Sequence, residues 1–463
     1  PAFESLTLPT EDFRRGDFTR LLSGATPQLV YDPLTARRVG DRVVRDPVMC
    51  NGAVNVICPN WISPIAANFL SYLPLPNTNL NQPTNNFFGN ARPVNEYYVF
   101  LARGDHQFNE KNRMFVRYSK SFRTEVDENS TGVVNGVRAN GRVGHRGNDS
   151  GVVDYVYVHS ATTVLNLRGS LARFIQDRFS LASFDVDVRS MGFSPEALAL
   201  FTANTLPQMN ISGYSNLVEP TGFNNATPTW AFQPTLTKFA GSHSMKFGYD
   251  YRVYQQNRTE QTFQAGQYNF NNSFTRLNDQ NPSIPVEQNQ AQSLAAMLLG
   301  IPTGGNFPLL ANNAATAKYH GIFFQDDWKV NSRLTVNLGL RYEIDLGTTE
   351  RFNRMIRDLD TNVTSPVEAA VRANYALNPI PEIPVDQFRL RGGLLFADEN
   401  KRNSFKADRN NFQPRIGAAF QLNSRTVFRG GWGMFMVPFL LDGINQNGFS
   451  RNTPLVASDD LGL

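Results

Sequence analysis

The sequence predicts an all-β protein, a partial transmembrane antiparallel β-barrel of about ten up-and-down strands with long extracellular loops. Three observations predict it. The first is the stretch Leu334–Leu346, in which Leu334, Val336, Leu338, Leu340, Tyr342, Ile344 and Leu346 fall on one face while Thr335, Asn337, Gly339, Arg341, Glu343 and Asp345 fall on the other. Strand side chains alternate with period 2, and a run this long exceeds the roughly 5–6 residues of a soluble strand and suits a tilted crossing of a bilayer. The second is that such runs come in pairs around tight turns, and the pairs are separated by long polar connections, as short periplasmic turns and longer outer loops would be. The third is composition. With 41% hydrophobic residues and no apolar run long enough for a spanning helix, a helical membrane protein is excluded. The mean hydropathy of −0.35 does not exclude a barrel, because alternation hides an apolar face from any average. The aromatic content of 12%, with 35 Phe and 15 Tyr, suits girdles at two membrane interfaces.

In chain order, residues 1–96 carry turn signals throughout (Pro9, Gly16, Pro27, Pro33, Pro47, Pro59, Pro64, Pro74, Pro76, Pro83) and no long alternation. They are expected to form one extended, ordered extracellular loop region, with a short helical patch within Trp61–Leu73. Cys50 and Cys58 lie there in a Pro/Asn-rich segment, as a disulfide in an oxidising compartment or as a pair of free thiols. Without neighbouring histidines they make no zinc site. The barrel is expected over 97–463. Its predicted strands are Tyr97–Phe108 and Arg113–Thr124, Gly151–Ser160 and Thr163–Gln176, Thr229–Phe239 and Ser244–Tyr254, Tyr319–Trp328 and Leu334–Leu346, and Phe412–Gln421 and Arg425–Met436. Leu338 is expected to face lipid near mid-membrane and Asn337 the lumen. Gln290–Gly300 has helical propensity and a Gly stop, either beside a ligand entrance or capping its own loop. Gly430, Gly431 and Gly433 fall inside a strand and ease its curvature. Asp326 and Asp327, beside Trp328, read as interfacial or lumenal charge.

Chemistry is sparse. The net charge of +4 comes without a Lys/Arg stripe, so no nucleic-acid partner is expected. None of the five histidines sits in a metal-ligand spacing, and no nucleophile elbow, phosphate loop or dinucleotide fingerprint occurs. The chain is read as no enzyme, with no cofactor.

Several segments in order resemble one family. Gly241–Arg252 (GSHSMKFGYDYR), Phe323–Glu343 (FFQDDWKVNSRLTVNLGLRYE), Leu8–Phe18, Tyr31–Thr35, Ile62–Asn77, Gly392–Phe420 and Arg425–Phe435 are together similar to the Oar-like TonB-dependent outer-membrane receptors. The resemblance implies a barrel of roughly 22 strands closed by an N-terminal plug. It implies uptake of a large extracellular ligand, powered by the TonB–ExbB–ExbD complex through a TonB box ahead of the plug. The alternative is a surface barrel for adhesion or export without energised uptake. Partners are then outer-membrane lipid, the TonB–ExbB–ExbD complex through an N-terminal region missing here, and an unidentified ligand; the location is the cell outer membrane. Beginning at Pro1 with no initiator Met, the chain is read as an internal fragment, lacking the plug and the C-terminal strands.

Overall fold

The computed structural model describes residues 2–462 apart from 81, 128, 219–220, 281–282, 438–443 and 461. Its dominant feature is one antiparallel meander of ten strands in strict chain order. These are β1 Val94–Asn109, β2 Asn112–Asp127, β3 Arg142–Ser160, β4 Thr163–Ser180 and β5 Thr221–Ala240. They continue as β6 His243–Thr262, β7 Asn313–Lys329, β8 Leu334–Asp345, β9 Asp408–Asn423 and β10 Thr426–Gly433. A two-residue strand, Thr349–Glu350, also pairs with β7. Every predicted strand is present, and every predicted pair is a hairpin. In the β5–β6 turn Gly241 sits at φ +57°, where a side chain would be strained.

The largest boundary differences run one way, toward longer strands at the long-connection end. β3 starts nine residues before the predicted Gly151, β5 eight before Thr229, and β6 runs eight beyond Tyr254. The added pieces, such as Arg142–Ser150 and Gln255–Thr262, are polar on both faces. Above a membrane both faces of a strand meet water, so the backbone ladder continues while the alternation that betrays it stops. β10 is shorter than predicted, ending at Gly433 rather than Met436. β5 carries Pro228 and Pro234 although it is flanked on both sides, and its register with β6 skips 227–228 and 233–234. Proline has no N–H to give to the ladder, which accounts for both gaps.

The sheet is open. Among the described residues β1 and β10 do not pair, and they remain its two edges.

Residues 2–92 do not trail as extended chain. With the connections after β2, β4 and β6 they share one hydrophobic core at the long-connection end. Its centre is helix α2, Val286–Leu298, buried on nearly every side. That helix begins four residues before the predicted one, because Pro285 supplies its N-cap, and Gly300 follows in the left-handed region at φ +71°. Helix α1, Pro64–Ser71, lies within the predicted patch and contributes Ala66, Phe69 and Leu70 to the core. A small sheet of Gln208–Ile211, Gln267–Phe270, Gly304–Leu309 and Arg451–Pro454 completes this cap.

Candidate functional site: the inner wall and its cap

Strand register sorts every side chain of the sheet onto one of two faces. Leu340 stands beside Phe324, and Phe324 beside Phe247, which is paired with Leu236; this face continues to Leu165 and Tyr157. It is apolar and open: Leu340 is 47% exposed and Ile322 56%. The opposite face carries charge yet is the more buried, with Asp154 at 4%, Asp250 at 6% and Glu343 at 8%. A single-layer sheet does this only when it is curled with the polar face concave, where side chains converge. The arrangement is inverted relative to a soluble protein and matches a wall between lipid and an aqueous interior.

The outward face is banded. Near the tight turns His243 stacks on Trp328 with ring centroids 5.4 Å apart, and His243 Nδ1 lies 2.6 Å from Asp326 Oδ2. Eight residues along β7 from Trp328, His320 Nδ1 lies 2.7 Å from Tyr249 Oη, with the Tyr251 ring tilted against the imidazole at 4.9 Å. At a rise of about 3.4 Å per residue and a tilt near 40°, these bands are about 21 Å apart, the spacing of two aromatic girdles. Leu338 faces outward as expected, but it neighbours Asp326, a single register step from the Trp328 band. The mid-membrane level therefore belongs to Leu340 and Phe324, which corrects the predicted depth. Asp326 is interfacial on the lipid side, and Asp327 points inward.

On the concave face, Asp250 accepts from Arg252 Nε at 2.8 Å, from Gln233 Nε2 at 3.0 Å and from Arg341 Nη2 at 3.1 Å. Arg341 also donates to Glu343 Oε1 at 2.5 Å and to Tyr319 Oη at 2.6 Å, and Tyr319 donates to Glu343. Four strands are stitched by one network whose charges are all matched, as a half-buried polar cluster requires. Sequence alternation places these residues on the polar face, but which of them meet depends on register between strands, which no local signal carries. Asp154, held by Arg168 and Asn166, repeats the device on β3 and β4.

The cap is fastened by polar side chains acting as backbone substitutes. Asn55, in the left-handed region at φ +64°, donates to Phe18 O and Gln28 O and accepts from Val30 N. Asn86 exchanges both bonds with the backbone of Leu8. Gln290 on α2 donates to Pro83 O and Gly213 O. Arg14 donates to the carbonyls of Pro9, Leu70, Leu73 and Pro74 with no carboxylate among these acceptors, and burial pushes its pKa down to about 10. Arg138 grips Asp185 through two side-chain bonds and its own N–H, which holds the Asp185 carboxyl below its usual range. Cys50 and Cys58 are joined by a disulfide, Cα atoms 5.1 Å apart, closing a small hairpin on the cap. Among the described residues no cluster of His, Cys, Asp or Glu has the geometry of a metal site.

Residues 2–462 match the family described as an outer membrane beta barrel domain. No curated protein matches. Among solved structures, the FrpB iron transporter from Neisseria meningitidis (F3-3 variant) aligns with 73% of this chain and 37% of its own at 13% identity and a TM-score of 0.35. The copper transporter OprC aligns with 73% and 36% at 12% identity and 0.37. The outer membrane transporter YddB from Escherichia coli aligns with 78% and 42% at 8% identity and 0.38. The chain thus spans well under half the length of these transporters.

Proposed function

This chain belongs to the outer membrane beta barrel domain family and lies in the outer membrane, and from that premise we propose that it is part of a TonB-dependent receptor of the Oar-like type, taking up a large extracellular ligand. The observation that carries the reading is the pairing of a folded cap, built from the long connections, with a charged concave wall beneath it. A cap with its own core offers a fixed surface for recognition, and a wet wall offers a route inward. The ordered set of receptor-like segments, from Leu8–Phe18 to Arg425–Phe435, supports the same assignment. Ten strands with two open edges leave rows of unpaired backbone groups that lipid does not satisfy. The remaining strands, the plug and the TonB box are accordingly assigned to sequence outside residues 1–463, and energised coupling enters through them.

A second reading, a surface barrel for adhesion or export, draws on apolar side chains left open on the cap, among them the stacked pair Phe3 and Phe88. One experiment separates the two. The full-length gene is read upstream of Pro1, and the full-length protein is cross-linked to TonB in cells. A plug with a TonB box and a specific cross-link are expected. A reading frame without a plug sequence, or no cross-link, removes energised uptake and leaves the surface role.

A further inference from the structure

Register lines up one row of inward side chains across four strands near the tight-turn end: Lys246 on β6, Gln325 on β7, Gly339 on β8 and Arg415 on β9. The row below runs Ser244, Asp327, Asn337, Gly417 and Gly431, and the row above Gly248, Phe323, Arg341 and Gln413. Since Gly339 and Gly417 raise no side chain from the floor, Lys246, Gln325, Asn337, Phe323, Arg341 and Arg415 stand around a hollow of about 540 Å³ open to the interior. A Cβ built on Gly339 would meet nothing nearer than 3.6 Å, so the hollow is not filled from another strand.

On this wall the carboxylates are matched by cations, but several cations, two of them at the hollow, are not matched by carboxylates. Asp105, Glu125, Asp154, Asp250 and Glu343 each have a cationic partner. Among the described residues, Arg113, Arg117, Lys246, Arg415 and Arg429 point inward with no carboxylate in ion-pair distance. Asp327, in the row below, is engaged by the amides of Asn337 and Gln325, and Glu343 and Asp250 beyond the row above are engaged by Arg341. Lys246 and Arg415 stand three strands apart, about 14 Å between backbones, and both side chains are exposed. The Arg415 guanidinium rests 4.5 Å over the Phe435 ring at one side of the hollow and Lys246 stands at the other, across Gln325 and the bare Gly339, leaving a gap that fits an anion with more than one charged group.

We propose that the row Lys246–Gln325–Gly339–Arg415 is a binding station on the inner wall for a small multivalent anion, a solute bearing carboxylates or phosphates. It deepens the uptake reading by naming the chemistry the wall accepts, and rests on it only for the direction of travel. Lys246 and Arg415 supply the charge, Gln325 an amide donor, and the two glycines the room. Unpaired cations lining a cleft concentrate counter-ions there.

The test is calorimetry on the full-length protein in detergent, with citrate and pyrophosphate as probes and uncharged glycerol as control. Saturable binding of citrate or pyrophosphate, weakened by salt, is expected, with no glycerol heat. The K246Q/R415Q variant should bind at least tenfold more weakly, and so should G339L, which fills the hollow and keeps every charge. R113Q/R117Q, altering unpaired cations of the distant β2, should bind as wild type. Each variant is first shown to fold by the shift of its unheated band on a gel. No binding of either probe by the wild type overturns the proposal, as does undiminished affinity in K246Q/R415Q or G339L, or equal loss in R113Q/R117Q. Because binding in detergent needs no energised inner membrane, it can fail or succeed independently of TonB cross-linking.

Discussion

Replacing Leu340 with Arg tests the assignment of faces at its most sensitive point. Leu340 is four residues from Val336, which neighbours Trp328, and four from Ile344, which neighbours His320. Along a strand tilted near 40° that places it about 10 Å from each band, at the middle of the apolar layer. An arginine there costs about 2–4 kcal/mol, since its charge must snorkel or draw water into hydrocarbon. At 1.4 kcal/mol per factor of ten, the folding equilibrium falls by roughly 30- to 700-fold. Asn337→Arg is the matched control. It lies on the same strand but faces the concave side beside Asp327 and the open floor of Gly417, where a guanidinium stays hydrated and meets a carboxylate. Its expected effect is within about 0.5 kcal/mol. The assay is urea unfolding of the full-length protein in lipid vesicles, followed by tryptophan fluorescence and by gel mobility without heating. Equal midpoints for the two variants, or a larger loss for Asn337→Arg, would refute the facing of β8 and with it the lumen.

Other outcomes concern the cap. Arg14→Met should loosen the cap by about 2–3 kcal/mol, because four carbonyls lose their donor at once, and limited proteolysis should then cut near Pro74 sooner than in the wild type. Opening the Cys50–Cys58 bridge should release about 2.5 kcal/mol of loop-closure restraint for so short a loop, read as faster hydrogen exchange within 48–60 and no change in the strands. Asp185→Asn should cost the cap about 1–2 kcal/mol at neutral pH. Since Arg138 lowers the folded Asp185 pKa, the wild-type advantage is present above the unfolded value near 3.9 and disappears as pH falls through the lower folded value. Wild type and variant should converge in acid, and a gap that persists at pH 2 would contradict the ion-pair account.

The sequence by itself determined the membrane-crossing part. Alternation along Leu334–Leu346 and Met245–Val253 reports a strand between two different solvents, and the tight turns at 161–162 and 241–242 then fix which strands are neighbours. The same logic explains what stayed hidden. Where β3, β5 and β6 rise beyond the outer band, both faces meet water and the pattern ends, so Arg142–Ser150 and Gln255–Thr262 read as loops although they are paired strands. Residues 2–92 look like disconnected turns because the core that Phe13, Phe18 and Leu70 join is completed by α2 and by loops far along the chain, and the asparagines that fasten them look like ordinary loop asparagines. Only the tertiary structure decided that these pieces share a core. It likewise decided that Lys246, Gln325, Gly339 and Arg415 stand in one row, because register adds contributions from four strands that no stretch of sequence holds together.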